Sequence, residues 1–287
     1  MNIDKLCPIC QGASSIIGAK EGVRIKKTFN FLRCDSCKFT FVGNPHTKYT
    51  EIYDECYYQG KGSDPGVNYA QEFENPNTTS RIIEWEGIRQ LANQQAGEQW
   101  LDFGCGHGGL VRYITNLDGQ IEGMDTGAWA EKAKQSGINI VTEEEIEKTG
   151  KKYDIITAIE VIEHIVLPVE ALITMRKLLK PGGRLIITTG NADAAPKQFT
   201  NWGYVNGDVH VSYFTPATLT RAFEIAGFKA INHNNQKAWT KIIEWKILKK
   251  LKIHTKYAWL GLLPWSIISH VVDRKHKASY FPIGIAK

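Results

Sequence analysis

The stretch LDFGCGHGG, residues 101–109, decides the fold of this chain. Its glycines follow a short apolar run at 100–103 and precede a helical pattern at 110–116, so they lie between a predicted strand and a predicted helix. Glycine is required where the backbone approaches a ligand closely and where a Cβ would clash in a tight turn. Such a loop alone fits several kinds of nucleotide site, and the surrounding sequence must narrow the choice.

An acidic residue follows the loop at a useful distance. The segment GMD at 123–125 places Asp125 at the tip of the next predicted strand. A carboxylate about 20 residues after the glycines is positioned to accept both hydroxyls of a ribose. Asp102 lies two residues before the first glycine, which differs from the phosphate-binding fingerprint, whose ligand is an anion. A carboxylate there favours a cationic or amine-bearing ligand.

Outward from the loop, apolar strands alternate with helices of about ten residues. The predicted strands are 100–103, 120–124, 138–141, 153–159, 184–189 and 228–232, and the predicted helices are 78–93, 110–116, 128–136, 169–179 and 216–226. This alternation is typical of an α/β protein with a doubly wound, Rossmann-like sheet and crossover helices. An apolar pattern at 280–286 predicts a last strand, at the edge of the sheet.

Four of the six cysteines form two C-x2-C pairs, Cys7 with Cys10 and Cys34 with Cys37, separated by 23 residues. Two such pairs on neighbouring hairpins supply the four thiolates that a closed, tetrahedral zinc site needs. We expect a structural Zn²⁺ held by these cysteines in a small zinc-ribbon-like unit. The alternative, a redox C-x2-C, lacks the strand–helix setting of a thioredoxin.

The predicted organisation has three parts. Residues 1–43 form the zinc-binding unit, residues 44–76 a tyrosine-rich connecting arm with little regular structure, and residues 77–287 the α/β domain. A basic, apolar insertion at about 239–279 precedes the last strand of that domain. No secretory leader is visible and few cysteines remain outside the two pairs, so we expect a cytoplasmic protein with reduced thiols.

The net charge of +5 over 287 residues is too small to indicate a nucleic-acid partner. The positive charge is concentrated in one segment: residues 240–279 hold nine Lys or Arg and two acidic residues. The pattern at 239–256 predicts an amphipathic basic helix, and the apolar run 257–272 is shorter than the roughly 20 residues of a membrane-spanning helix. This tail is expected either to contact a membrane surface, to pack over the core, or to line an apolar substrate pocket.

Five motifs in this order resemble those of class I S-adenosylmethionine-dependent methyltransferases: LDFGCGHGG, GMD, YDIITAIEVIEHI, LLKPGGRLIITT and HVSYFTPATLTRAFEIAGF. The resemblance covers about residues 78–232, and the alternative is a Rossmann-type NAD protein. It implies S-adenosylmethionine as cofactor. The cofactor-binding positions that it implies are Asp102, Phe103, Gly104 and Gly106 along the methionine part, Asp125 and Thr126 at the ribose, Thr142 and Glu143 near adenine, and Glu160.

The motif EVIEHI at 160–165 follows the fourth predicted strand, at the carboxyl edge of the sheet where ligands bind. On one helical turn Glu160, Glu163 and His164 would share a face, and His210 could reach the same edge. We expect His164 or His210, with Glu163, to act on a proton of the substrate. The same four residues resemble the divalent-metal site of small-RNA 2′-O-methyltransferases and ubiquinone-pathway O-methyltransferases, which implies Mg²⁺ or another divalent ion. A third possibility is that the motif only shapes the pocket.

The tyrosines of the arm are expected either to anchor it on its own domain or to form a lid, with Tyr58 over the cofactor. Cysteine pairs joined to such a core by an arm resemble the N-terminal part of zinc-containing sugar C-methyltransferases of bacterial natural-product pathways. Those proteins continue into a further α/β domain, whereas here 60 residues follow residue 227.

The expected function is therefore methyl transfer to an oxygen or nitrogen of a small metabolite, preferably a sugar or natural-product intermediate. The alternatives are a prenylated or lipid-linked acceptor at a membrane surface, carbon methylation of a sugar, and a non-catalytic zinc-containing binding protein. Asp102, Gly104, Gly106 and Asp125 are all present, which argues against the non-catalytic alternative.

Overall fold

A computed structural model describes residues 6–63, 65, 67–232, 236–276 and 282–286. The chain begins with an antiparallel hairpin and a short third strand: β1 (Ser14–Glu21), β2 (Thr28–Cys34) and β3 (Thr40–Val42). Apolar side chains of β2, such as Phe29 and Phe31, are fully buried. The arm then forms three short helices, α1 (Tyr49–Ile52), α2 (Glu55–Tyr58) and α3 (Tyr69–Glu74), where the sequence analysis expects little regular structure.

The elements from residue 82 onward alternate as the sequence pattern predicts. In chain order they are α4 (Ile82–Ala92), β4 (Trp100–Phe103), α5 (Gly109–Thr115), β5 (Ile121–Met124), α6 (Ala128–Gln135), α7 (Glu143–Thr149), β6 (Tyr153–Ile159), α8 (Pro168–Leu178), β7 (Leu179–Thr188), β8 (Ser212–Tyr213), α9 (Pro216–Ile225), β9 (Phe228–Asn232), α10 (Gln236–Lys250), α11 (Trp265–His276) and β10 (Pro282–Ala286).

The central sheet has six strands among the described residues, in the order β5-β4-β6-β7-β10-β9. Strands β4 to β7 are parallel, and β10 runs antiparallel to both of its neighbours. The prediction that 280–286 forms the edge strand is therefore wrong at 282–286, because β10 pairs on both sides and β9 is the edge. Residues 280 and 281 lie outside the described residues. The predicted strand at 138–141 forms only an isolated bridge between Ile140 and Gly123.

Side chains of the parallel strands alternate between two buried layers. Leu101 and Ile156 face the layer of α8 and α9, whereas Trp100 and Ile155 face the layer of α4, α5 and α10. Successive residues of a strand point to opposite faces, so a strand buried on both faces must be apolar throughout. This requirement explains why 153–159 carries a nearly continuous apolar run. The α/β Rossmann-like prediction is confirmed by this arrangement.

A second sheet joins the start of the chain to its later part. It has the order β1-β2-β3-β8, so a strand from residues 212–213 completes the sheet of the cysteine-bearing segment. Asp208 adds a further link, because its buried carboxylate accepts hydrogen bonds from the backbone N–H groups of Arg24 (2.7 Å) and Ile25 (3.3 Å). The boundaries at residues 43 and 76 stay a prediction.

Within the parts of the chain that are described, no helix has both the length and the apolar character needed to cross a bilayer. Helix α10 packs along α4 instead, with Ile242 and Ile243 fully buried. The basic segment thus supplies part of the core through α10.

The interior position of β10 can be tested at Gly284. A Cβ there would lie 3.0 Å from a ring carbon of Phe228 on β9, so Gly284→Val should lower the free energy of unfolding by about 1–3 kcal/mol through overpacking. Urea unfolding measures this change. Gly203→Val is the matched control, since no atom lies within 4 Å of a Cβ at that position. Equal stability of the two variants would contradict the placement of β10 against β9.

Candidate active site

The glycine loop is fastened to the end of β5. The N–H of Gly104 donates to the carbonyl oxygen of Met124 at 2.7 Å, and Gly104 adopts a left-handed backbone with φ of +75°. A Cβ at Gly104 would lie 2.6 Å from the side chain of Val161, so both backbone geometry and space require glycine here. The same contact shows that the loop lies against the EVIEHI motif.

Asp125 ties the glycine loop to the turn that follows β5. Its Oδ2 accepts a hydrogen bond from the N–H of Gly106 at 2.9 Å, and its Oδ1 accepts one from the N–H of Gly127 at 2.7 Å. Thr126 is the residue between Asp125 and Gly127 in this turn. The predicted ribose carboxylate is therefore held at the tip of β5, one strand away from Asp102.

Tyr58 of the arm covers this corner. It is buried, it stacks on Trp129 with ring centroids 5.2 Å apart, and its hydroxyl oxygen would lie 2.8 Å from a Cβ at position 127. Burial, with a smaller contribution from Asp125, raises the pKa of Tyr58 above its usual range, so the hydroxyl keeps its proton. The arm thus places an aromatic ring beside Asp125, and its role as a lid or as an anchor stays a prediction.

Asp102 is buried near the carboxyl end of β4, and Phe103 ends that strand. One carboxylate oxygen accepts a hydrogen bond from the Thr157 hydroxyl at 2.7 Å, and that hydroxyl accepts one from the Trp100 indole at 2.9 Å. Burial raises the pKa of Asp102 to about 7, although the hydrogen bond from Thr157 and the charge of Arg81 both work to lower it. A cationic ligand group beside this carboxylate would favour its charged form.

Arg81 was missed by the sequence analysis. Its guanidinium is buried, with Nε 3.1 Å from a Glu84 carboxylate oxygen, and it lies 4.7 Å from the centre of the Trp245 ring. Burial disfavours its charge, but Glu72 and Glu84 together hold the pKa of Arg81 above its usual range. A single arginine within a predicted helix at 78–93 matches no motif, so no signal in the sequence distinguished it.

The turn after β6 separates Glu160 from the other members of its motif. Glu160 has a left-handed backbone with φ of +55°, which is strained for a residue with a side chain, and its carboxylate pairs with Lys246 of α10 at 3.2 Å. Burial would raise the pKa of Glu160, but Lys246 and Lys249 outweigh it and lower the pKa to about 2. The expectation that Glu160 shares a helical face with Glu163 and His164 is therefore wrong, because a 3₁₀ turn begins only at residue 162.

Glu163, His164 and His210 do come together, with their ligand atoms all within 4.8 Å of one another. Each imidazole has its Nδ1 2.9 Å from a backbone carbonyl oxygen, of Val209 for His164 and of Tyr204 for His210. A carbonyl only accepts, so Nδ1 carries the proton and Nε2 is the basic nitrogen of each ring. The ring centres of the two histidines are 5.0 Å apart.

Tyrosines frame this cluster. The Tyr204 hydroxyl donates to Glu163 Oε1 at 2.7 Å, and the Tyr53 hydroxyl lies 3.1 Å from His164 Nδ1. Burial, with the added effect of Glu160, raises the pKa of Glu163 to about 8. Its Oε2 is buried and has no hydrogen-bond partner among the described residues. Two imidazoles and a carboxylate that has one unpartnered oxygen are compatible with a divalent cation as well as with proton transfer.

Thr142 lies one residue beyond Val141, whose N–H donates to the carbonyl oxygen of Gly123 at 2.8 Å. Its hydroxyl oxygen accepts from the N–H of Glu145 and caps α7. Thr142 and Glu143 therefore lie beside the end of β5, and their place near adenine stays a prediction.

The four predicted zinc ligands form one cluster. Their sulfur atoms lie within 4.8 Å of one another, with Cys7 3.6 Å from Cys37 and Cys10 3.4 Å from Cys34. Zn–S bonds of about 2.3 Å in a tetrahedron place sulfurs roughly 3.8 Å apart, close to these values. Backbone N–H groups of Ile9 and Cys37 point at two of the sulfurs, as they do at thiolates.

Curated proteins resemble the central part of the chain. A ubiquinone biosynthesis O-methyltransferase of Roseobacter denitrificans is 33% identical over 148 residues, covering 47% of this chain and 57% of that protein. Its counterpart in Erwinia tasmaniensis is 32% identical over 122 residues, covering 39% and 49% respectively. The chain therefore spans about half the length of the curated relatives it matches.

Among solved structures, a SAM-dependent methyltransferase from Archaeoglobus fulgidus superposes with a TM-score of 0.47 and 16% identity, over 76% of this chain and all of the other. A possible histamine N-methyltransferase from Thermotoga maritima gives a TM-score of 0.46 at 16% identity, covering 76% and 95%.

The family model described as a methyltransferase domain matches residues 80–233, more than half of the 287 residues. This match spans the glycine loop, Asp125 and the Glu163 cluster, and it confirms the prediction of a methyltransferase. The chain belongs to the methyltransferase domain family.

Proposed function

We propose that the protein transfers the methyl group of S-adenosylmethionine to an oxygen of a small molecule. One observation carries this proposal: the glycine loop lies next to the segment that bears the paired imidazoles of His164 and His210. The two are in contact where Gly104 of the loop meets Val161. The names of the curated relatives, ubiquinone biosynthesis O-methyltransferases, favour oxygen over nitrogen as the acceptor atom.

The residues present fit the cofactor. Asp102 is a buried carboxylate suited to the ammonium of its methionine part, and Asp125 is suited to the ribose hydroxyls, while Tyr58 excludes water beside it. When bound, the cofactor supplies an electrophilic methyl group on a sulfonium. The protein aligns the acceptor with that carbon, which is the main requirement of the reaction.

The acceptor hydroxyl must lose its proton as the new C–O bond forms. Nε2 of His164 or His210 is the basic nitrogen in place to take it, because the backbone carbonyls hold the proton of each ring on Nδ1. Glu163 and Tyr204 position this cluster by their hydrogen bond. An aromatic or quinone-like hydroxyl, already acidic, would need the least help from such a base, whereas a sugar hydroxyl would need the most.

A divalent cation is the second candidate for activating the hydroxyl. The buried Oε2 of Glu163 without a hydrogen-bond partner favours it. One carboxylate oxygen of Glu163 also lies within 4.8 Å of a nitrogen of each imidazole, and a carboxylate with two imidazoles is a metal-binding donor set. Such a cation would lower the pKa of a bound hydroxyl without a protein base. Glu160 is not part of this proposal, because it pairs with Lys246.

We further propose that the four cysteines hold a structural zinc ion. A closed shell of four thiolates leaves no position for substrate, so its contribution is to the folding of β1 to β3 and the sheet that they form with β8.

Cofactor binding should strengthen as the pH rises towards 7. A protonated Asp102 cannot attract the cofactor's ammonium, so with a pKa of about 7 the affinity should rise roughly tenfold between pH 5.5 and 7. Calorimetric titration with S-adenosylmethionine measures this dependence. Asp102→Asn should weaken binding and flatten the profile while it keeps an oxygen that accepts from Thr157. An equally steep profile in this variant would contradict the role of Asp102.

Each histidine of the pair should matter for turnover and not for cofactor affinity. His164→Ala and His210→Ala should each lower kcat by about 100-fold if the ring is the base, with the Kd for S-adenosylmethionine near that of the wild type. His254→Ala is the control, since its exposed side chain lies outside this cluster. Normal turnover in both variants would place the acceptor elsewhere.

The same assay separates base from cation. Treatment with EDTA followed by Mg²⁺ or Mn²⁺ should leave the wild-type rate unchanged if an imidazole acts alone. A loss that either ion reverses would instead support a metal at Glu163, His164 and His210, and Glu163→Gln should then abolish the response.

Cys34→Ser should remove the zinc and lower the melting temperature, because the binding free energy of a structural metal is coupled to folding. The matched control is Cys56→Ser, an exposed cysteine outside the cluster. Elemental analysis should find about one zinc per chain in the wild type and the control. Metal-free wild-type protein that melts like the control would refute the zinc proposal.

A further inference from the structure

The segment from residue 250 to residue 271 exposes an unusual amount of apolar side chain. Seven of the 16 exposed large hydrophobic residues described lie in this segment. We call these seven the apolar surface: Leu251, Tyr257, Trp259, Leu262, Leu263, Ile267 and Val271. Leu262 is 85% exposed and Ile267 is 64% exposed. Scattered exposed apolar residues are ordinary, but a concentration of this kind marks an interaction site.

This exposure is not the result of a missing core beneath the segment. Leu248, Leu260 and Trp245 are buried together against Ile83 of α4, and the Trp265 indole donates to the Leu260 carbonyl oxygen at 2.7 Å. The inner apolar residues of the segment thus fasten it to the protein. The seven residues of the apolar surface are exposed instead.

The charged residues within the sequence of the segment have one sign. No Asp or Glu occurs from Trp245 to Val272, whereas five lysines do, of which Lys250, Lys252 and Lys256 are exposed. The rings of Tyr257 and Trp259 stack with centroids 6.4 Å apart. Tyrosine and tryptophan prefer the headgroup level of a bilayer, and exposed lysines are attracted to anionic lipids.

The segment is also joined to the candidate active site. The Ser80 N–H donates to the carbonyl oxygen of His254 at 2.8 Å, next to Arg81, and Trp245 lies over that arginine. Lys246, one residue further along α10, pairs with Glu160. Helix α10, which leads into the segment, therefore contacts Arg81 and Glu160, and the segment itself is fastened beside Arg81 through His254.

We propose that the apolar surface docks on an anionic lipid bilayer, with Trp259, Leu262 and Ile267 entering the headgroup region and the exposed lysines facing lipid phosphates. A second copy of the chain fits less well, because a symmetric contact would bring the lysines of both copies together. This inference goes beyond the proposed function and does not depend on it.

The test is sedimentation of the full-length protein with vesicles, without cofactor. Phosphatidylcholine vesicles containing about a third phosphatidylglycerol should pellet the protein, pure phosphatidylcholine vesicles should pellet at least tenfold less, and raised salt should weaken the binding. The double variant Leu262→Ser/Ile267→Ser should lower partitioning at least tenfold. The double variant Leu117→Ser/Ile225→Ser is the matched control, because both residues are exposed elsewhere on the protein.

A second pair of lysine variants checks the charge. Lys250→Glu/Lys252→Glu should weaken binding to anionic vesicles while thermal unfolding stays cooperative. Equal pelleting by the two serine variants, or equal binding to neutral and anionic vesicles, would overturn the proposal. So would a dimer, seen by light scattering, that only Leu262→Ser/Ile267→Ser converts to a monomer while vesicles leave the wild type in the supernatant.

Discussion

Four ionisable side chains are buried around the carboxyl ends of β4 and β6, and the arrangement of the site follows from the cost of burying them: Asp102, Glu163, Glu84 and Arg81. A buried charge is tolerated only if it is paired or hydrogen-bonded, and a buried acid otherwise stays neutral. Arg81 is held between carboxylates, Glu163 accepts from Tyr204, and Asp102 accepts from Thr157. These partners come from α3 and α4, from the loop between β7 and β8, and from β6, so distant segments meet at one edge of the sheet.

The contacts of the second sheet continue this network. The N–H of Val211 donates to the Glu163 carbonyl oxygen, and the N–H of Val42 donates to that of Val211, both at 2.8 Å. Two hydrogen bonds therefore join the cysteine-bearing segment to the backbone of the Glu–His cluster. The cysteines stand apart from the site, but the sheet that they begin positions one side of it.

Local patterns predicted what depends on neighbours in sequence. The glycine loop, the position of Asp125 at the tip of β5 and the clustering of four cysteines all follow from spacing, because each requires only a strand, a turn and the next element. The prediction that Glu160 shares a helical face with Glu163 and His164 is wrong, because the left-handed backbone of Glu160 interrupts that helical turn. The contacts of Arg81 with Trp245 and of Lys246 with Glu160 join segments more than 70 residues apart, which no local pattern reveals. The interior position of β10 depends on strand pairing, which the hydrophobic pattern alone does not encode.

The position of β10 bears on how the sheet is assembled. Among the strands that the structure describes, β9 pairs with β10 alone, and β10 follows it by about 50 residues. A loop of that length must therefore close before β9 gains this hydrogen-bonded neighbour. Closing long loops costs chain entropy and slows folding. During synthesis β4 to β7 can associate as they emerge, whereas β7 keeps an unpaired edge until residues 282–286 arrive. That edge and the neighbouring α9 are where a partly made chain is most exposed to wrong pairing, and where a chaperone would be expected to bind it.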